Sequence, residues 1–157
     1  MGLLTQTSQI DARALINEYD LTNLKAHSAF MQGQESATSE LYLQAFELSF
    51  RLLSRHDVTT ETLRLSVNAC LNCFDFCPPP NDNDERHYLA LTAHKLDRIV
   101  SSHLPRDLRS CALTAYAEIA RLCYQLAQKE AAVTSQKVVE QCQDCWERYC
   151  SELIPSH

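Results

Sequence analysis

The sequence predicts an all-α protein, and three observations support this fold class. Apolar residues recur three or four positions apart through most of the 157 residues, which is the period of a buried helix face. No run alternates apolar and polar residues convincingly with period two, so no strand is predicted. Only two glycines are present, Gly2 and Gly33, whereas the tight turns of β-hairpins favour glycine. We expect one domain, residues 1–157, with about six main helices in three antiparallel hairpins.

Three helices are predicted before Asp57. Residues 8–19 form a short amphipathic helix within an N-terminal extension, residues 1–20. Asp20 or Thr22 is predicted to cap a second helix, which ends at Gly33 because glycine suits the left-handed backbone that follows many helices. The third helix is apolar on two sides and is expected to pack on both. Its two apolar lines are Tyr42, Phe46, Phe50 and Leu53, and Leu41, Ala45, Leu48 and Leu52.

A fourth helix follows Asp57 and ends before the three prolines that begin at Pro78. It contains the stretch CLNCFDFC, residues 70–77, whose cysteine spacing resembles a metal or redox motif. A buried line nevertheless runs through this stretch at helical spacing. The line consists of Leu63, Val67, Cys70, Leu71, Phe74 and Cys77. Cys70 and Cys77 are therefore interpreted as small core residues.

Three more helices are predicted in the second half of the chain. Asp84 is expected to cap the fifth helix, and Pro105 to stand in the first turn of the sixth. The last helix begins near Thr134 or Ser135 and ends at Pro155. The buried lines are Leu89, Ala93, Leu96 and Val100 in the fifth, Leu113, Tyr116, Ala120, Cys123 and Ala127 in the sixth, and Val138, Cys142, Cys145, Tyr149 and Leu153 in the last.

The stretch AHSAFMQGQESATSELYLQAFEL resembles one tetratricopeptide repeat. The resemblance rests on Ala26 in the first helix, Gly33 at its end, and Tyr42 and Ala45 in the second helix; it departs at Thr38, where alanine is usual. It covers about one repeat, roughly 34 residues. The chain also resembles small uncharacterised bacterial proteins of this class. The resemblance implies stacked helix pairs whose first helices line a concave groove, and an unrelated helical bundle is the alternative.

If the hairpins stack as the resemblance implies, one polar face of each first helix lines the groove. The expected partner-binding residues are His27, Phe30, Arg64, Asn68, Asn72, Thr114, Glu118 and Arg121. Arginine and asparagine side chains hydrogen-bond to peptide backbone or to a carboxylate. No set of nucleophile, base and orienting residue is found, and the glycine-dependent catalytic motifs are absent. The sequence therefore predicts a non-catalytic module that binds a peptide or protein segment.

The alternative function is a cysteine-based metal or thiol sensor. Cys70 with Cys73, and Cys142 with Cys145, form two C-x2-C pairs, which together match the ligand set of a zinc site with four sulfur ligands. Both pairs lie inside predicted helices, however, and neither stands at a helix N-terminus, where a thiolate is stabilised. We therefore expect neither a metal nor a cofactor.

Charge and composition exclude further classes. The formal net charge is −6, and the basic residues are scattered, so nucleic-acid binding is not expected. No apolar run approaches the ~18 residues of a membrane helix, and the first residues lack a signal-peptide pattern. We expect a cytoplasmic protein without membrane contact, in which the eight cysteines are reduced. The leading helix has an apolar side, through which we expect weak association of two copies.

Overall fold

The computed structural model describes residues 2–78, 87–129 and 133–155. Within these ranges all regular secondary structure is helical. The six helices are α1 (Gly2–Met31), α2 (Glu35–Leu53), α3 (Thr60–Phe76), α4 (His87–Val100), α5 (Arg106–Lys129) and α6 (Val133–Leu153). The all-α fold class and the number of main helices are therefore confirmed. The predicted cap Asp84 lies outside the described residues.

The helices divide into two compact units. The first contains α1, α2 and α3 and ends at Pro78, and the second contains α4, α5 and α6. The predicted hairpin of the fourth and fifth helices would join α3 to α4 across the two units, so it stays a prediction. The single domain over residues 1–157 likewise stays a prediction.

In the first unit, α2 packs against both α1 and α3. Three contacts also link α1 directly to α3: Tyr19 to Leu65, Asn23 to Asn72, and Phe30 to Phe76. Because these contacts advance in the same order along both helices, α1 and α3 run in the same direction. The short turn at Gly33, whose φ is 73°, reverses the chain between α1 and α2.

The predicted break between a leading helix and a second helix is wrong. α1 is continuous from Gly2 to Met31, so neither Asp20 nor Thr22 caps a helix. Tyr19 and Ala26 are both buried and stand seven residues apart, so one buried face continues through the expected break. Aspartate and threonine suit cap positions but are tolerated inside a helix, and no glycine or proline interrupts α1 near Asp20 and Thr22.

The apolar lines of α2 are confirmed, and the line of α3 is confirmed in its first half, where Leu63, Val67 and Cys70 are buried, whereas Leu71, Phe74 and Cys77 are half-buried. In α2, Phe50 and Leu41 are half-buried and the other predicted positions are buried. The helix ends at Leu53, and its cap position is Gln34, which makes no side-chain cap hydrogen bond. α3 begins with a capping box, in which Thr59 accepts from the Thr62 amide and the Thr62 hydroxyl accepts from the Thr59 amide. This reciprocal pair satisfies two amides that the helix leaves free.

In the second unit all three helices pack against one another. The predicted buried lines of α4, α5 and α6 are confirmed, with Ala127 and Tyr149 half-buried and the other members buried. Arg109 links three helices at one end of this unit. Its Nε donates to the carbonyl of Val100 at 2.8 Å, and its Nη1 donates to Glu152 at 2.9 Å. The guanidinium also lies 5.7 Å from the centre of the Tyr149 ring.

Candidate interaction surfaces

Two neighbouring helices of the first unit present a polar surface, which we call the α1/α3 face and define by Asn23, His27, Arg64, Asn68 and Asn72. His27, Arg64 and Asn68 are exposed, whereas Asn23 and Asn72 are half-buried between the helices. Asn72 Nδ2 donates to Asn23 Oδ1 at 3.4 Å. The α1/α3 face thus combines hydrogen-bonding groups from two parallel helices.

Arg64 forms no salt bridge with any residue of the described part of the chain. Its guanidinium carries five N–H donors. Arg64 is exposed, and Asn68 and Asn72 follow it at helical spacing on α3. An exposed guanidinium next to side-chain amides suits the backbone carbonyls or a carboxylate of an extended peptide.

Phe30 lies at the end of the α1/α3 face and is 49% exposed. Its ring meets the Phe76 ring edge-on, with centroids 4.9 Å apart, and Phe76 in turn stacks on Tyr42 at 4.9 Å. A cavity of about 350 Å³ opens beside them, between the α1–α2 turn and the end of α3, and Glu35 and Asp75 are among its lining residues. The rings of Phe76 and Tyr42 therefore support Phe30, which offers an apolar contact beside the polar α1/α3 face.

The remaining predicted binding residues lie in the second unit. Thr114, Glu118 and Arg121 are all exposed on α5. Arg121 also lines a groove of about 460 Å³ between α5 and α6, together with the aromatic residues Tyr124 and Trp146. The first five predicted residues thus share one surface of the first unit, and the last three share one helix of the second. A groove that joins the two sets stays a prediction.

Sequence reasoning missed three residues of these surfaces. Asn23 is not among the predicted binding residues, because its role depends on the parallel alignment of α1 with α3. Tyr124 and Trp146 are 54% and 36% exposed, and both lie outside the predicted buried lines of their helices. Large aromatic side chains at positions outside a buried line were the signal in the sequence for this groove.

The cysteines of the first unit contact backbone carbonyls of α2. Cys73 Sγ lies 3.4 Å from the carbonyl oxygen of Tyr42, and Cys77 Sγ lies 3.2 Å from that of Ser39. The prediction that Cys77 is a core residue is only partly right, because Cys77 follows the last turn of α3 and is half-buried. A hydrogen bond between the two thiols, together with burial, raises the pKa of Cys73, and the same bond lowers the pKa of Cys77.

The second C-x2-C pair is buried. Cys142 and Cys145 face the interior of the second unit and make no hydrogen bond with a described residue. Burial raises the pKa of Cys142 to about 11 and that of Cys145 to about 12, and the Asp97 carboxylate contributes to both shifts. Both thiols are therefore protonated at neutral pH. Metal binding requires the deprotonated form.

No three potential metal ligands come together in residues 2–78, 87–129 and 133–155, the part of the chain that the structure describes. The predicted four-sulfur set takes one C-x2-C pair from each unit. Within its own unit, the first pair extends along the α2 side of α3, and the second lies in the core of α4, α5 and α6.

Comparisons of the chain with protein-family models, with curated proteins and with solved structures found no match. Among the described helices, none is both long and apolar enough to cross a membrane. The class that fold and surfaces define is an all-α protein of two three-helix units, with an exposed polar face on one and an aromatic groove on the other.

Proposed function

We propose that this chain is a non-catalytic interaction module that binds an extended segment of a partner protein along the α1/α3 face. The observation that carries the proposal is the set of polar side chains from two parallel helices, with an exposed Arg64 beside Asn68 and Asn72. Amide and guanidinium groups read a peptide through its backbone or its terminal carboxylate. Phe30 adds an apolar contact at the end of the same surface.

The helix order supports a tetratricopeptide-like arrangement. α2 packs between two helices that run in parallel, as the first, second and third helices do in stacked tetratricopeptide pairs. In that arrangement α1 and α3 line the concave side, and the exposed polar residues of both belong to the binding surface. The module is proposed to work in the cytoplasm, where its cysteines remain thiols.

The test compares two triple variants of the full chain. His27→Ala/Arg64→Ala/Asn68→Ala removes the three exposed side chains of the α1/α3 face, and Glu40→Ala/Gln44→Ala/Arg51→Ala removes three exposed polar residues of α2 as a matched control. Proteins near each chain are labelled in the native cell and identified by mass spectrometry. We expect the first variant to lose a partner that the control retains, with both melting within a few degrees of wild type because exposed changes usually cost within about 0.5 kcal/mol.

The mode of binding is tested with peptides from the captured partner. If the α1/α3 face binds a terminal carboxylate, amidation of the peptide weakens binding to wild type and leaves the residual binding of the triple variant unchanged. If it binds internal backbone, amidation has no effect. Equal capture by both triple variants, or a large loss of stability in the first, would rule out this surface.

A second candidate, a thiol-based sensor, is favoured by one observation. Cys73 and Cys77 contact each other, and the Cys77 thiol is half-buried with a lowered pKa. Redox-responsive cysteines are commonly accessible, of low pKa and placed next to a second cysteine. The candidate requires Cys77 to be oxidised by mild peroxide before any other thiol, which peptide mapping by mass spectrometry measures.

A further inference from the structure

Among the described side chains of α1, residues 12–31, one side is buried. Tyr19, Ala26 and Ala29 face the first unit and are buried. A second line of residues on the opposite side is exposed along its whole described length, and we call it the exposed α1 seam. The seam consists of Ala14, Asn17, Leu21, Leu24, Ser28 and Met31. Leu21, Leu24 and Met31 are 53%, 65% and 71% exposed, and Met31 and Leu24 are the most exposed large apolar residues of the described chain.

The spacing of the seam is that of a coiled coil. Its members are separated alternately by three and four positions, which is the 3.5-residue repeat of two helices that wind around each other. In the sequence the same spacing continues backwards through Ile10, Thr7 and Leu3. Polar residues within such a seam restrict the register of the two helices at a cost in stability, and Asn17 and Ser28 are the polar members here.

Charged residues flank the seam in a self-complementary pattern. Arg13 and Asp20 follow one edge, and Glu18 and Lys25 follow the other, all exposed. In a parallel two-stranded coiled coil with both helices in register, a residue on the first edge faces the residue five positions later on the second edge of the other helix. Arg13 then faces Glu18 of the second copy, and Asp20 faces Lys25 of the second copy. Both pairs have opposite charge, and each occurs twice in the dimer.

The net negative charge of the chain favours pairing through the seam over pairing through other surfaces. Two copies that each carry a net charge of −6 repel one another over most of their surfaces. The four flanking residues include two cations and two anions, so the seam is locally neutral. None of the four forms a salt bridge with a described residue of its own chain, and each is therefore open to a second copy.

We propose that α1 forms a parallel, in-register, two-stranded coiled coil with α1 of a second copy of this chain. Leu21, Leu24 and Met31 supply apolar layers, Asn17 and Ser28 supply polar layers, and the flanking charges select parallel pairing. The α1/α3 face lies on another side of α1, so this dimer is independent of the proposed function.

The decisive experiment exchanges charges in two variants of the full chain. Arg13→Glu/Asp20→Lys reverses the first edge, and Glu18→Arg/Lys25→Glu reverses the second. Each variant alone places like charges opposite each other in the parallel dimer, so sedimentation should report monomers at concentrations where wild type is a dimer. An equimolar mixture of the two should form a heterodimer, and the chain with all four changes should again form a homodimer.

The apolar layers are tested by Leu24→Lys, with Leu91→Lys as the matched control, because Leu91 is an exposed leucine (40%) on α4. The first should weaken dimerisation at least tenfold, and the second should leave it unchanged. Circular dichroism confirms that each variant is folded.

Two results would overturn the proposal. One is a wild-type chain that stays monomeric across the accessible concentration range, which would mean that a second copy of this chain does not cover the exposed α1 seam. The other is a dimer that persists in either single-edge variant. Antiparallel helices pair the first edge with itself, so reversing both of its charges would leave the attraction intact.

Discussion

The two units use the same residue type in different ways. In the first unit, Cys73 and Cys77 lie within hydrogen-bonding distance of carbonyl oxygens of α2. In the second unit, Cys142 and Cys145 are buried without a hydrogen bond to any described residue. The cysteines of the first unit thus behave as weak polar donors, whereas those of the second behave as small apolar side chains that fill space. Each unit contains a C-x2-C pair, Cys70 with Cys73 and Cys142 with Cys145, so this spacing alone does not reveal which role a thiol has.

The largest expected contrast is in thiol labelling. Cys77, Cys111 and Cys150 are half-buried, and the other five cysteines are buried. A buried thiol reacts only when the surrounding structure opens, so we expect the half-buried set to be alkylated roughly 100-fold faster or more. Mass spectrometry of time points at neutral pH should show three labelled positions, and all eight after unfolding. Early labelling of Cys142 would contradict the assignment of that thiol to the core.

Alkaline pH should weaken the second unit through its buried thiols. Folding raises the pKa of Cys142 to about 11 and of Cys145 to about 12, above the ordinary value of 9.0. A raised thiol pKa contributes stability that is fully present below pH 9, because both states then hold the proton. Above pH 9 the unfolded chain releases its protons first, so the contribution falls as pH approaches 11, by roughly 1.4 kcal/mol per pH unit for each thiol.

This pH effect is measured by urea unfolding between pH 8 and pH 11, with fluorescence of the single tryptophan, Trp146, as the probe of the second unit. Cys142→Ala/Cys145→Ala lacks both thiols and should lose less stability than wild type over the same interval. If the two proteins lose equal stability, the thiols are not the groups that hold the extra protons.

Serine and alanine substitutions should rank in opposite order in the two units. Cys73→Ser retains a donor for the Tyr42 carbonyl, so it should be more stable than Cys73→Ala by about 0.5–1.5 kcal/mol. Cys142→Ser buries a hydroxyl, which costs roughly 1–3 kcal/mol without an acceptor, so Cys142→Ala should be the more stable variant there. Urea midpoints of the four variants give the ranking. The same order in both units would contradict the idea that Cys73 acts as a hydrogen-bond donor and Cys142 as an apolar side chain.

The helices and their buried faces were largely predictable from the sequence. The lines through Leu89 and Leu96 in α4 and through Val138 and Leu153 in α6 follow from helical spacing alone, because only one face of each helix is apolar enough to be buried. The end of α1 shortly before Gly33 was also predictable, since the positive φ that follows many helix ends favours glycine.

Features that depend on tertiary contacts were not predictable. The continuity of α1 follows from the packing of Tyr19 and Ala26 on the first unit, and this packing outweighs the capping tendency of Asp20. Cys73 lies outside the predicted line yet is completely buried, because α2 covers that side of α3. The pairing of Asn23 with Asn72 requires α1 and α3 to lie side by side, and no local pattern encodes that arrangement.

The position of Arg109 has a consequence for how long the second unit stays folded. Its guanidinium contacts residues at the end of α4 and near the end of α6, and its partner Glu152 is 43 positions away along the chain. Removal of a contact that forms after the folding transition state changes the unfolding rate more than the folding rate. Lysine would keep the charge without the planar group that reaches a carbonyl, a carboxylate and an aromatic ring together. We therefore expect Arg109→Lys to shorten the lifetime of the folded second unit more than it slows folding.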